Sequence, residues 1–541
     1  MGFSRRLVVI AILLVLVLVV GMIVFSTLGR IATPQVKLVV YAYRDSITGI
    51  DPSVEFDTGI VVLGVVYEPL VYYNPLTNKF TPALAKNWSK INETFWIFKL
   101  RENVVFHDGT PLTADAVRFS ILRTKTIYDE SGLGPGYIWD SVEDVVVLNS
   151  SAVGLRLKYP APIDLIASSA YGAYIYSPKV LEYSGARDLK DESIRFWFEK
   201  GRSLGSGPYY IDYYDPLNEV RLKKFEKWWG WAEVNNPRAP DLVVIKIVSD
   251  PITQVMGLRG GSIHIAMAVP RVEISSLVKE GFRVIKQHTY YSYILMFNTR
   301  RWPTNITEFR LAVLHAIPWD NLIDKALHGY GIPGSGVIPY GYPGYIDNLR
   351  FEYNLTASRE FLEIAGLYGA EIEIEIVITT GYEEEEIFAM LLKSELAKLG
   401  IKLTIRHYPW ELVKEYGAAV WRNPEEAPHL IINDWWPTYP TPYDYLYLLH
   451  CSSKEWNWAG YCNGELDELL DTAYELEGEN YEEALKLYEE AQMILFKEGV
   501  ATTLWTITQP FVVSPTIGIR DNAFNPLYMY VVWFQYVEVL G

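Results

Sequence analysis

Cysteine is nearly absent from this chain: Cys451 and Cys462 are the only two among 541 residues. That scarcity excludes a disulfide-stapled scaffold and a cysteine-rich metal module. Charge is also sparse, at 21% of residues, and 65 Asp and Glu against 48 Lys and Arg leave a formal charge of −17. With no Lys/Arg block to neutralise phosphates locally, nothing in the chain suits nucleic acid. The eight His are scattered without ligand spacing, so neither a metal site nor metal uptake has support. No nucleophile elbow, HExxH helix or phosphate loop is present, and an extracellular hydrolase would rest on chance pairs among abundant carboxylates. Catalytic residues and a cofactor are therefore not expected. Internal repeats and low-complexity segments are missing too, and a single stretch reaches membrane-spanning length.

That stretch is "LVVIAILLVLVLVVGMIVFSTL", residues 7 to 28, preceded by Arg5 and Arg6. Without a charge and at the helical rise, it is long enough to cross a bilayer. Its apolar core exceeds the roughly 7 to 15 residues of a signal peptide, and "STLGRIATP" makes a poor cleavage site. No cysteine stands there to accept a lipid. Residues 1–35 are expected to form a membrane anchor and tether. The arginine pair favours an inside amino terminus, although Arg30 and Lys37 beyond the stretch weaken the asymmetry. The body, residues 31 to 541, is then expected outside the cytoplasm. In that setting Cys451 and Cys462 can close a disulfide loop, with two separate buried thiols as the alternative. Five sequons, at Asn87, Asn92, Asn149, Asn305 and Asn354, fit an exported surface.

Half the residues are hydrophobic and 14% are aromatic, with 17 Trp, 39 Tyr and 21 Phe. Those rings must be buried or face a ligand. A chain of this length exceeds one hydrophobic core, so two or three domains are expected. Strand patterns occur at 36–44, 144–159, 219–225, 241–248, 371–379 and 401–408, and helical patterns at 386–399 and 481–497. Strands interleaved with helices mean α/β layers. The acidic run Glu383 to Glu386 reads as a solvated, dipole-favoured first turn. The loop "DSITGIDPS" follows the first strand, a place where ligands are often met.

The stretch "FWIFKLRENVVFHDGTPLTADAVRFSILRT", residues 95 to 124, contains His107 beside Asp108. Trp96, Phe98 and Leu100 share one strand face, and Phe95, Ile97 and Lys99 the other. Asp108-Gly109 supplies a turn, Thr113 an N-cap and Asp115 a first-turn acid, while Ala114, Val117 and Ile121 share a helical face. As neighbours on an extended segment, His107 and Asp108 point apart and cannot form half of a triad. The stretch reads as scaffold.

The wider segment carries more. Tyr67 to Leu70, Pro82 to Trp88, Phe98 to Arg101, Val104 to Pro111 and Thr113-Ala114 resemble the signature region of the extracytoplasmic solute-binding proteins of ABC importers, in the peptide-binding class called family 5. "GSGPYYI" (205 to 211), "FEKWWGW" (225 to 231), residues 293 to 339, "LLKSELAKLGIKLTI" (391 to 405) and "YCNGELDELLDTA" (461 to 473) are similar to later blocks of that family, in order. Within 293 to 339, Pro318-Trp319-Asp320 replaces the family's usual Ile-Asp-Arg step.

The resemblance implies a two-lobed, periplasmic-binding-protein-like (type II) α/β fold, with a hinge between lobes and an extra subdomain. Lobe I would comprise 36–61, 204–287 and 505–541, domain II 62–203, and domain III, the second lobe, 288–504. It also implies a binding subunit that captures an oligopeptide by lobe closure and delivers it to permease subunits with their ATPases. Oligosaccharides are the alternative cargo, and a surface receptor shares the same fold. In the family's dipeptide and oligopeptide binders, a Trp-x-x-Asp motif supplies a carboxylate for the peptide's amino terminus. The spacing from Trp435 to Pro442 places Thr438 at that Asp, and no basic residue stands near "VITTGYEE" for the ligand carboxylate. Burying charged peptide termini unpaired costs several kcal/mol, so a zwitterionic dipeptide is disfavoured. Expected ligand-binding residues are Trp410, Trp435 and Trp436, with Asp434 and Tyr439 as polar partners and Thr48 from the first loop; ordinary packing is the competing reading. Trp228, Trp229 and Trp231 read as structural, and Trp456 and Trp458 lie inside the possible Cys451 to Cys462 loop.

Overall fold

Two long antiparallel strands, Arg283–Phe297 and Ala501–Val513, run through the middle of an eleven-stranded sheet in the computed structural model, which describes residues 36–75, 77 and 79–540. Their register runs from Arg283 opposite Val513 to Met296 opposite Ala501, shifting between His288 and Ser292 and again between Tyr293 and Ile294. Both strands are long enough to serve two different neighbourhoods.

Near the Phe297 end, Leu430–Trp435 pairs antiparallel to Arg283–Phe297, and Ile372–Thr379 and Ile401–Tyr408 continue in parallel. The helix Glu383–Ala397 connects these last two strands as a crossover. Alternation drives the edge: Ile372, Ile374 and Ile376 turn inward, while Glu373 faces out. At the Val513 end, Ile265–Ala266 bridges to Leu38–Tyr43, which pairs in parallel with Leu242–Ile247. Glu219–Lys224 and Tyr209–Asp215 complete that side as antiparallel strands.

A separate four-stranded antiparallel sheet, ordered Ala85–Asn92, Phe95–Leu100, Ala152–Leu157 and Val142–Asn149, has its own core around Phe98, Val117 and Leu155. The pattern at 144–159 is thus a hairpin and not one strand. Asn149 accepts the Ser151 amide at 2.9 Å, and this Asn-Ser-Ser turn interrupts a run whose flanks both have strand periodicity. The other strand patterns fall where expected, as do the two helices, at Glu383–Ala397 and Tyr481–Glu498. The acidic turn is only partly solvated: Glu385 is buried and accepts the Thr379 amide at 2.7 Å.

The stretch 95 to 124 is scaffold. Its strand buries Trp96, Phe98 and Leu100, and Thr113 caps the helix Ala114–Ser131 through the Ala116 amide. His107 and Asp108 occupy a turn and not an extended segment, and they bond elsewhere: His107 Nε2 meets the Gly207 carbonyl at 3.0 Å, and Asp108 accepts Thr110. Burial holds His107 neutral, with its pKa lowered to about 4. Within that helix Arg123 donates to both Asp51 oxygens, at 2.6 and 2.5 Å, and ties the loop after the first strand to this second body. The membrane-anchor expectation falls on residues outside those described. Among the described residues no helix is long and apolar enough to cross a membrane.

Candidate functional site

A cavity of about 690 Å³ lies between the loop that follows Leu38–Tyr43 and the end of Leu430–Trp435. The carboxyl ends of strands in an open α/β sheet are where crevices form, and both segments leave the sheet there.

One wall begins with Arg44, Asp45, Ser46 and Thr48. Thr48 Oγ1 donates to Glu55 Oε1 at 2.6 Å, and that carboxylate also accepts the amides of Asp57 and Gly59, both at 2.9 Å. Burial raises Glu55 to about 7. Thr48 therefore folds the loop back on itself and brings Phe56 and Asp57 to the cavity; its hydroxyl is already engaged. Tyr171, from the second body, donates to the Asp57 carbonyl at 3.0 Å.

The facing wall is aromatic. Trp410, Trp435, Trp436 and Trp456 line it, with Tyr291 and Tyr382 beside them, while Tyr530 lines the cavity from its packing against Tyr43 of the first strand. Trp435 meets Trp456 edge-on at 5.3 Å, Trp456 stacks on Trp458 at 6.2 Å, and Trp458 meets Trp410 at 5.7 Å. The buried Trp458 is thus the backing of the wall. Gly417 permits its approach, because a Cβ there would lie 2.3 Å from the indole. Cys451 and Cys462 form a disulfide that closes the loop carrying Trp456 and Trp458.

Asp434 is the polar centre of this wall. Only 7% exposed, it accepts the Tyr291 hydroxyl on Oδ2, while Oδ1 has no hydrogen-bond partner among the described residues. Burial raises its pKa to about 6, opposed by the Tyr291 bond. Across the cavity the Arg44 guanidinium lies 5.9 Å from the Tyr382 ring centre, and Lys414 comes from the helix Trp410–Ala418.

The family described as bacterial extracellular solute-binding proteins, family 5 Middle, matches residues 79–457. The chain belongs to this family. The probable D,D-dipeptide-binding periplasmic protein DdpA of Escherichia coli (strain K12) is 25% identical over 512 residues, 92% of this chain and 93% of that protein. The Helicobacter pylori periplasmic binding protein DppA, in complex with the peptide STSA, superposes with a TM-score of 0.75 at 23% identity, over 93% of this chain and 98% of its own. The substrate-binding protein CtaP of Listeria monocytogenes does so with a TM-score of 0.81 at 17% identity, over 93% and 99%. The fold is accordingly the two-lobed α/β fold of periplasmic binding proteins, and the family's role is solute binding, not catalysis.

In this family 5 protein the signature residues have structural work. Glu68 accepts Ser206 Oγ at 2.8 Å, Trp228 Nε1 at 3.1 Å and Trp229 Nε1 at 3.1 Å, which joins the Tyr67 to Leu70 block to the glycine and tryptophan blocks. Gly205 and Gly207 pass so close to the Val65 and Val66 carbonyls that a Cβ would fall within 2.5 Å of one of them.

Of the residues singled out from sequence, Trp410, Trp435, Trp436, Asp434 and Thr48 line the cavity and Tyr439 does not. Tyr439 is buried against the core of the four-stranded body, because the chain turns away after Trp436. Thr438 does not line the cavity either, and its Oγ1 lies 2.6 Å from the Tyr137 hydroxyl. A carboxylate is nevertheless present in the cavity lining at the end of the strand, that of Asp434. Cations are present as well, in Arg44 and Lys414, but from segments other than "VITTGYEE". Sequence reasoning missed Trp456, Tyr291, Tyr382 and Tyr530, as well as Arg44 and Asp57. Arg44 adjoins the first-strand loop already singled out, so that position was a usable signal; the tyrosines had none.

Proposed function

We propose that the protein is the membrane-anchored, extracytoplasmic binding subunit of an ABC importer, capturing short peptides by closure of two lobes and handing them to a permease. One observation carries the peptide reading: a buried Asp434 with an unpartnered oxygen sits in an indole and phenol wall, a setting for a ligand's amino group. The division into lobe segments at 36–61, 204–287 and 505–541, against 62–203 and 288–504, is part of the proposal. The strands Arg283–Phe297 and Ala501–Val513, running between the two neighbourhoods, suit a hinge. Ligand contacts made by both walls favour the closed form, and a permease can sense the difference. The indole wall would also suit an oligosaccharide; the dipeptide-binding name of DdpA and the peptide bound to DppA favour the peptide reading.

The test is a thermal-shift screen of the full-length protein in detergent against peptides of graded length and oligosaccharides. A peptide at a hundred times its dissociation constant should add about 2.7 kcal/mol to stability. Stabilisation by sugars alone would overturn the reading.

A further inference from the structure

The charges lining the cavity do not cancel. Arg44 pairs with its neighbour Asp45 at 3.0 Å, and Lys414 pairs with Glu411 at 2.8 Å along its helix. The two other charged residues of the wall, Asp57 and Asp434, have no ion-pair partner among the described residues. They line the same cavity from different segments, Asp57 on the first-strand loop and Asp434 at the end of Leu430–Trp435. Asp57 is open to the cleft, whereas Asp434 is buried with one oxygen unpartnered. Burial is the main cause of the raised Asp434 pKa, and the Asp57 charge adds a smaller contribution in the same direction.

This inventory constrains the cargo. A ligand with one positive charge neutralises one carboxylate and leaves the other facing a cavity that closure would dry, which is costly for an unpaired ion. An anionic side chain would have to compete with Asp45 or Glu411 for cations already paired. The surrounding rings, Tyr291, Tyr382, Trp436 and Tyr530, supply no counter-charge, but their faces attract cations.

We infer that the cavity selects ligands with two separated positive charges, and that its cargo is a short basic peptide whose amino group meets Asp434 while a lysine or arginine side chain meets Asp57. The inference rests on the peptide-binding reading and specifies its cargo. A peptide suits the site better than a polyamine of the same charge, because its side chains can cover the indoles of Trp410, Trp435 and Trp436, which a bare polyamine chain would leave uncovered.

The experiment is calorimetric titration of the full-length protein with alanine tripeptides carrying lysine at each position in turn, compared with norleucine and glutamate at the same position, and with spermidine. At one position or more, lysine should bind at least about tenfold tighter than norleucine. Asp57→Asn should bring that ratio towards one, its folding checked by a cooperative thermal transition. Equal affinity for lysine and norleucine at every position overturns the inference while leaving peptide binding intact. A full lysine preference in Asp57→Asn also overturns it, since the second charge would then be read elsewhere. Binding of spermidine without any peptide keeps the dication chemistry and removes both the peptide cargo and the reading beneath it. If nothing binds, both fall together.

Discussion

The Trp435 indole nitrogen donates to Asp444 Oδ2 at 3.2 Å, and the same oxygen accepts the Thr438 amide at 3.2 Å. One buried carboxylate therefore fixes both the edge of a cavity-lining ring and the turn behind it. Swinging the indole away would leave Asp444 short of a donor in a site that already raises its pKa to about 7.

Trp435→Ala is expected to weaken peptide binding about tenfold to thirtyfold, or roughly 1.4 to 2 kcal/mol, while the ligand-free protein still folds. Titration calorimetry with urea unfolding measures both. An unchanged dissociation constant would remove Trp435 from the site.

Binding of a free amino terminus should depend on pH through Asp434, whose pKa stands at about 6. The ammonium group needs the ionised carboxylate, so affinity should fall as pH drops below 6, by up to about tenfold per unit. An amino-acetylated peptide should show no such slope between pH 5 and 7, and Asp434→Asn should abolish it for the free peptide. A flat profile for the free amino terminus would exclude the contact.

Folding stability should decline between pH 6.5 and about 8. Burial raises Glu55, Glu68 and Asp444 to about 7 and Glu477 to about 8. Acids with raised native pKa values stabilise the fold fully below their unfolded values near 4, and that contribution is lost as pH rises through the native ones. His107 and His429, both lowered to about 4 by burial, act in the opposite sense, but only below about 6.5. Urea midpoints across pH 6.5 to 8.5 check the slope, and Glu68→Gln should reduce it.

Asp51→Asn should cost about 3 to 5 kcal/mol, because it leaves the buried Arg123 guanidinium without its counter-charge. Denaturant unfolding reads this directly. A loss below 1 kcal/mol would show that water or Tyr176, whose hydroxyl lies 3.0 Å from Arg123, compensates.

Replacing both Cys451 and Cys462 by Ser should remove about 2 to 4 kcal/mol and also weaken binding, since the loop they close carries Trp456. Stability lost with affinity intact would detach that loop from the site.

Much of the local structure could be read from the chain. The strands Ile372–Thr379 and Ile401–Tyr408 and the helix Tyr481–Glu498 have strong periodicity, and few turn-forming residues interrupt them. At 144–159 the alternation continued on both sides of Asn149, and the period alone could not show that the chain doubles back. Tyr439 was misplaced because adjacency to Trp435 and Trp436 says nothing about the direction taken after a strand ends.

The sequence by itself determined the elements, the faces they bury and, through motifs such as Tyr67 to Leu70 with Val104 to Pro111, the family. Those are properties of short spans, where side-chain period and capping act over a few residues. The tertiary structure alone decided which of 39 tyrosines face the cavity, and that Asp434 and Asp57, from distant segments, both line it. Such juxtapositions join residues hundreds of positions apart, and they arise only when Arg283–Phe297 and Ala501–Val513 bring two sets of strand ends together across one crevice.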